Sequence, residues 1–245
     1  MLFLRGCMAH TDYSVDIVIP VLNEEQQLEQ SVVALRDFLQ ASCPYRWRIV
    51  VADNGSTDRT PQICHDLRSR FPGEVDFERL EQRGRGRALR TAWLKSSADI
   101  LCYMDVDLST NLRALPPLLA ALIHSDYSLG TGSRLMHGAI VTRQWKREMI
   151  SRAYNLLIRV LFWHRFRDAQ CGFKAITRQA AQELIPMVRD NEWFFDTELL
   201  LKAERRGYRI FEVPVEWIED LGTTVKIVKT AWQDIKGLVR VRLGG

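Results

Sequence analysis

The sequence predicts an α/β fold: a mostly parallel central sheet flanked by helices, forming a single domain over residues 12–222. Three observations carry this reading. Short β-branched apolar runs alternate with stretches of helical period through the first half of the chain, the pattern of strands joined by crossover helices. The runs are apolar enough to be buried strands. Polar side chains, Asn23, Asp53 and Asp105, fall just after three of them, where open parallel sheets build their ligand sites.

The elements follow in order. Residues 16–21 form a first strand that Pro20 ends. Leu28, Val32, Leu35 and Leu39 give residues 24–40 a helical spacing. Residues 48–53 form a second strand, Asn54-Gly55-Ser56 a turn, and residues 57–70 a helix capped by Ser56 or Thr57. A third strand over 75–80, a helix over 84–97, a fourth strand over 99–105 and a helix over 112–125 complete the regular half. Beyond it, residues 128–131 form a strand, and helices cover 144–163, 179–188 and 195–206. A late strand spans 208–214 and a last amphipathic helix 230–242. No linker interrupts the chain before about Gly222, so residues 223–245 are read as a basic C-terminal tail appended to the domain.

Composition narrows the possibilities. With 245 residues, 47% apolar and 26% charged, the chain is an ordinary globular one. No apolar run reaches the roughly 18 residues of a membrane-spanning helix. Residues 1–10 are too short for a secretory signal, so the expected location is the cytoplasm. Five scattered cysteines, Cys7, Cys43, Cys64, Cys102 and Cys171, contain no Cys-x-x-Cys pair, which points to reduced thiols and away from a zinc site. Charge is unevenly spread. Residues 222–245 carry five basic residues against Asp234, the whole formal net charge of +4. Residues 134–167 carry eight against Glu148. Two basic zones on a neutral body suit a polyanionic surface or a phosphate ligand. Nucleic acid is not the expected partner, because no nucleic-acid motif accompanies the charge.

The chemistry starts at Asp105-Val106-Asp107. Two carboxylates one residue apart at a strand end can grip Mg²⁺ or Mn²⁺, hard cations that share oxygen ligands with substrate phosphates. Alone, such a pair reads more readily as two solvated loop aspartates. Its companions change the balance: Pro20-Val21-Leu22-Asn23-Glu24 after the first strand, Asp53-Asn54-Gly55-Ser56-Thr57-Asp58 after the second, and Gly84-Arg85-Gly86-Arg87-Ala88 at a helix start. The last is no dinucleotide fingerprint, but it sets cations and backbone N–H groups where a phosphate can bind.

These four blocks, in this order, resemble glycosyltransferase family 2 with its GT-A fold. Gly132-Ser133-Arg134, residues 147–151, the block from Asp168 to Lys174 and that from Trp193 to Glu198 narrow the likeness to polyprenyl-phosphate sugar synthases, which include dolichyl-phosphate mannose and glucose synthases. The resemblance spans about residues 16–220 and implies a metal-dependent inverting hexosyltransferase. It implies that Pro20, Asn23, Glu24 and Asp53 hold the nucleoside. Arg85 then lies near the donor phosphates, where the family often has Lys. Asp105 and Asp107, the DXD motif, take the metal, with Val106 between them at the donor. Arg134 and Arg147 meet the acceptor phosphate, Asp168 serves catalysis, and Trp193 walls the sugar. Ser109 departs from the mannose synthases, which often carry a Gln ligand there. The block from Cys171 to Lys174 leans toward UDP-glucose, with GDP-mannose as runner-up. Three other functions are weighed: the same fold with a hydroxyl acceptor and Asp196 as base, a nucleotide-binding protein without catalysis, and nucleic-acid binding.

A phosphate acceptor on a lipid implies a membrane surface. Helix 144–163 and the tail are both basic and amphipathic, as interfacial helices are. The tail is expected to be the stronger membrane element, because it lies outside the inferred fold. Relatives that carry transmembrane helices, or work with a separate membrane protein, make such a protein a further expected partner. The chain itself is expected to be peripheral.

Overall fold

A computed structural model describes residues 13–218 and 227–244. The leader over 1–10 and the domain boundary at 222/223 lie outside the described residues.

The first half follows the expected alternation. It runs β1 (Ser14–Val21), α1 (Leu28–Ser42), β2 (Arg46–Asp53), α2 (Thr60–Arg70), β3 (Val75–Arg79), α3 (Arg85–Lys95), β4 (Ile100–Met104) and α4 (Leu115–His124). A 3-10 turn, Leu112–Ala114, precedes α4. The second half runs β5 (Leu129–Ser133), β6 (Ile140–Thr142), α5 (Trp145–Phe162), β7 (Phe173–Thr177), α6 (Arg178–Leu184), α7 (Phe195–Arg205), β8 (Ile210–Pro214), β9 (Glu216–Ile218) and α8 (Ile227–Arg242).

Seven strands form one sheet in the order β3-β2-β1-β4-β7-β5-β8. Every neighbouring pair is parallel except the two that involve β7, which runs antiparallel between β4 and β5. β6 and β9 pair separately in parallel. Alternation splits each buried strand between two apolar layers. Ile17 and Ile19 of β1 pack with α1 and α4 residues such as Leu35 and Leu118. Val18 faces the other way, with Leu89 and Trp93 of α3 and Leu199 of α7.

Three expectations need correcting. β1 continues through Pro20, since its ladder to β2 runs on to Pro20↔Ala52 and Val21↔Asp53 while that to β4 has stopped at Val18. α2 is capped neither by Ser56 nor by Thr57: the Thr60 N–H donates to Asp58 Oδ1 at 2.9 Å, and Ser56 Oγ accepts from the Asn23 N–H instead. Finally, α8 packs on the domain. Leu238 and Val241 enter the same apolar layer as α7, and Arg240 donates to Glu198 at 2.7 Å. A Cβ on Gly237 would collide with the Phe194 ring at 2.3 Å, so glycine is what lets the helix approach so closely.

α5 turns the usual arrangement around. Its buried face holds Ser151, Asn155 and Ile158. Trp145, Leu156, Val160 and Trp163 are 67%, 61%, 65% and 90% exposed, and Met149, Ile150 and Leu157 are exposed beside them. The polar inner face has a job: Asn155 Oδ1 accepts from the Ala169 N–H at 2.9 Å, which fixes the loop after Asp168.

Candidate active site

Parallel pairing of β1, β2 and β4 brings their carboxyl ends together, and side chains stitch the loops above them. Asn23, in a left-handed conformation at φ 58°, accepts the Thr57 N–H at 2.8 Å. The Glu24 N–H donates to Thr60 Oγ1 at 2.8 Å. Asn54 Oδ1 accepts the Gly84 N–H at 2.6 Å, and the Arg87 N–H donates to the Asn191 carbonyl. Two N–H groups at the start of α3 are therefore spent on protein partners, so what this turn presents to a ligand is chiefly the Arg85 side chain. Pro20 is half-buried at the rim. Asp53 is wholly buried. Its Oδ1 accepts the Ser56 N–H at 2.9 Å, while Oδ2 makes no hydrogen bond and faces Arg79 Nε at 3.7 Å, an ion-pair contact that leaves the oxygen able to accept a further donor.

Asp105 stands at the end of β4 with its carboxylate tucked over Gly172, where a Cβ would fall 1.7 Å from Oδ2. The Asp105 N–H donates to the Gly172 carbonyl. The glycine just before β7 thus makes a seat for this carboxylate. Asp107 lies two residues on, and its Oδ1 accepts the Ser109 N–H at 2.9 Å. Val106 is buried in the core, so only its backbone can serve a donor. Among the described residues no cluster of three or more His, Cys, Asp or Glu could hold a metal. A two-carboxylate site still suits a cation that keeps waters and shares phosphate oxygens with its substrate. The cradle over Gly172 fits that role, because it aims one carboxylate without adding a third ligand.

Arg85 lies between the Tyr103 and Trp193 rings, 4.9 Å from each centroid. It pairs with Asp105 at 2.7 Å and with Asp196 at 2.8 Å. Burial works against the guanidinium charge, yet Asp105, Tyr103 and Asp196 outweigh it and raise its pKa further. Asp196 is 4% exposed and also accepts from the Tyr103 hydroxyl, with Lys174 at 3.6 Å. Enclosed this way, it is poorly placed to act as the base of a hydroxyl acceptor. Glu198 likewise serves structure, pairing with Lys202 and Arg240.

Asp168 is fully buried and accepts three bonds from Arg134: from the backbone N–H at 3.0 Å, from Nε at 2.7 Å and from the terminal nitrogen at 2.9 Å. Burial opposes its ionisation, and the Arg134 charge overrides that, holding the carboxyl at about 2. Arg134 then lines a cavity of ≈ 480 Å³ with Met136, Val141, Arg143, Trp145 and Arg152. Arg147, which the sequence singled out beside Arg134, is half-buried on α5 and is not among those lining residues. Arg143, with its guanidinium 5.7 Å from the Trp217 ring, is. Sequence reading also passed over Tyr103, Gly172 and the role of Lys174, whose ammonium donates to the Cys171 carbonyl at 2.6 Å. A lysine inside the apolar run Phe173-Lys174-Ala175-Ile176 was the available signal.

A mostly parallel sheet with an Asp-x-Asp at one strand end and basic groups around it defines a GT-A-type glycosyltransferase domain. The chain belongs to glycosyl transferase family 2, whose family model matches residues 16–185. It is 36% identical over 231 residues to the glycosyltransferase AglD of Haloferax volcanii, across 89% of this chain but only 37% of that protein. A dolichyl-phosphate beta-glucosyltransferase of Drosophila melanogaster is 30% identical over 218 residues, across 84% of this chain and 67% of the relative. The fold is shared with glucosyl-3-phosphoglycerate synthase from Mycobacterium tuberculosis in complex with Mn²⁺, uridine-diphosphate and phosphoglyceric acid: the TM-score is 0.71 at 18% identity, over 95% of this chain and 79% of the other.

Proposed function

We propose that this chain moves a hexose, glucose from UDP-glucose before mannose from GDP-mannose, onto a polyprenyl phosphate at the cytoplasmic face of a membrane. The observation that carries the reading is the pairing of two compartments: the Asp105 seat on one side, and on the other a cavity where three cations, Arg134, Arg143 and Arg152, outnumber the one carboxylate, Glu148, that pairs with the last two, all beside Met136, Val141 and Trp145. Cations beside apolar groups suit a phosphate attached to a hydrocarbon chain. The Drosophila relative's name, and the UDP and Mn²⁺ held by the M. tuberculosis synthase, support the same acceptor, donor and metal.

The residues divide the work. The second Asp53 carboxylate oxygen, which makes no hydrogen bond and has Arg79 at 3.7 Å, can accept an N–H from the base, with Pro20, Asn23 and Glu24 shaping the nucleoside site. Asp105 and Asp107 would hold Mg²⁺ or Mn²⁺, which neutralises charge building on a diphosphate leaving group. Trp193, 39% exposed beside Arg85, offers a wall to the sugar. The acceptor is a phosphate monoester, whose second pKa of about 6 leaves it largely ionised at neutral pH, so no strong base is needed. Arg134 and Arg143 bring that anion to the anomeric carbon. The phosphate oxygen bonds to the carbon as the bond to the nucleoside diphosphate breaks on the opposite face, inverting the centre. Asp168 keeps Arg134 aimed. The enclosure of Asp196 disfavours the hydroxyl-acceptor alternative.

The membrane contact proposed is the outward face of α5. Its exposed apolar residues are flanked along one side by the exposed cations Arg152 and Arg159, with Lys146 at the start of the helix, and α8, packed beside it, adds exposed Trp232, Ile235 and Val239. No helix among the described residues is long and apolar enough to cross a membrane. Cations flanking an apolar face suit an anionic lipid surface better than a separate membrane protein. Incubation with Mg²⁺ or Mn²⁺, a short-chain polyprenyl phosphate and each nucleotide-sugar tests the function. A charged sugar-phospholipid from UDP-glucose, lost in EDTA, is expected. Transfer to a free hydroxyl and none to the phosphate would overturn it.

A further inference from the structure

The groups around Asp105 raise a question of order. This carboxylate is already paired with a cation of the protein itself. Arg85 donates one guanidinium nitrogen to Asp105 Oδ1 at 2.7 Å and the other to Asp196 Oδ2 at 2.8 Å. The two ends of this fork differ in their surroundings. The Asp196 side chain is 5% exposed and is held again by Tyr103 and Lys174. The Asp105 side chain is 42% exposed at the edge of the site. The Tyr103 and Trp193 rings confine the guanidinium between them. The bond to Asp196 is therefore the anchored one, and the bond to Asp105 the one that can be exchanged.

We propose that Arg85 is a resident counter-cation on Asp105 that a divalent metal must displace, so that metal is taken up together with the nucleotide diphosphate rather than before it. The inference rests on the assignment of Asp105 as a metal ligand. A metal arriving alone must compete with a guanidinium for the same carboxylate and then sit beside it, cation against cation. A metal arriving with a diphosphate brings the anion that Arg85 needs. The N–H released by Asp105 then passes to a phosphate oxygen, one anion replacing another, while its partner nitrogen stays on Asp196. Arginine suits this part because its planar fork reaches two acceptors at once, whereas a lysine ammonium at this position is a single point charge on a flexible stem. The arrangement also protects the free site, because Asp105 is never left unpaired beside Asp107 and Asp196.

Mn²⁺ binding measured without nucleotide, from the electron paramagnetic resonance signal of the free ion, decides the matter. Arg85→Gln should bind Mn²⁺ more tightly than the wild type, by up to about fivefold, as loss of a competing, partly exposed ion pair implies. Arg85→Lys keeps the charge but cannot span both carboxylates, and it should show a smaller gain in the same direction. It serves if the glutamine variant does not fold. With UDP present the gain should vanish or reverse, because the variants then lack a phosphate ligand. Equal nucleotide-free affinity in the wild type and the variants overturns the inference. Asp105→Asn provides the separate check: if it binds Mn²⁺ as the wild type does, the metal assignment itself fails, whatever the Arg85 variants show.

Discussion

Replacing Asp168 by Asn asks whether this buried carboxylate acts on substrate or acts through Arg134. The change keeps shape but removes the charge that faces Arg134 across three hydrogen bonds. Two routes bound the cost. Depression of the carboxyl from 3.8 to about 2 corresponds to about 2.5 kcal/mol, at 1.36 kcal/mol per unit. Breaking one side of a buried ion pair costs about 3–5 kcal/mol. The Arg134 side chain keeps 10% exposure and a Trp217 ring 5.4 Å away, so the lower half of that span, about 2–4 kcal/mol, is expected. Urea unfolding at pH 7 reads it. The sign with pH follows from a depressed folded-state pKa: the stabilisation is present above about 4 and is lost as pH falls through about 2. The gap between wild type and variant should therefore narrow below pH 4. In turnover, Asp168→Asn should mimic Arg134→Gln, raising KM for the lipid phosphate and leaving that for the nucleotide-sugar unchanged. Equal stability at pH 7, a gap that persists to pH 2, or a loss confined to kcat would refute the reasoning.

Three further outcomes are expected. Gly172→Ala pushes a methyl group into Asp105 and should weaken Mn²⁺–UDP binding by about tenfold or more with the circular dichroism spectrum unchanged, by isothermal titration; unchanged affinity would remove Gly172 from the seat. Leu156→Asp and Val160→Asp on the exposed face of α5 should each lower partitioning onto anionic vesicles by about tenfold, since each forfeits about 1–2 kcal/mol of apolar insertion; sedimentation identical to wild type would move the membrane contact elsewhere. Burial raises the Asp234 carboxyl to about 7, so the wild type gives up stability as pH rises from about 4 through about 7. Asp234→Asn should accordingly be the more stable protein at pH 8, by about 2–4 kcal/mol, with the advantage fading toward pH 4 in parallel thermal melts.

The first half of the fold was legible because its strands are short apolar runs and its helices have a clear period. The polar residues after β1, β2 and β4 marked the site through a rule about sheet ends, and Asp53, Arg85 and Asp105 do gather there. β7 was not legible: Lys174 interrupts its apolar run, and the residue is a lysine because its ammonium reaches the Ala169 and Cys171 carbonyls beneath the site. β6 and β9 have three residues each, too few for any alternation to show. Periodicity identified α5 as amphipathic but not which face turns inward, and Asn155 faces in because a loop N–H needs it. The bond between Arg134 and Asp168 joins residues 34 apart, a pairing that only the tertiary fold makes visible. That Arg143 lines the same cavity as Arg134 is visible only in the tertiary fold, for the same reason.

The position of β7 has a consequence for how the protein comes into being. Tyr103 and Cys171, which approach each other at the inner end of the site, are 68 positions apart, and the glycine that seats Asp105 follows directly. The first four strands can pair as the chain emerges from the ribosome, yet the strand that completes their far edge is delivered only after α5 has been made. Closing so long a loop slows folding, because chain entropy is lost before the contact returns anything. Until then β4 exposes an unpaired edge, an invitation to foreign strands. A nascent chain halted before residue 172 would hold both aspartates of the motif without a seat for the first, and translation pauses or chaperone capture within α5 should govern the yield of active protein more than events at its start.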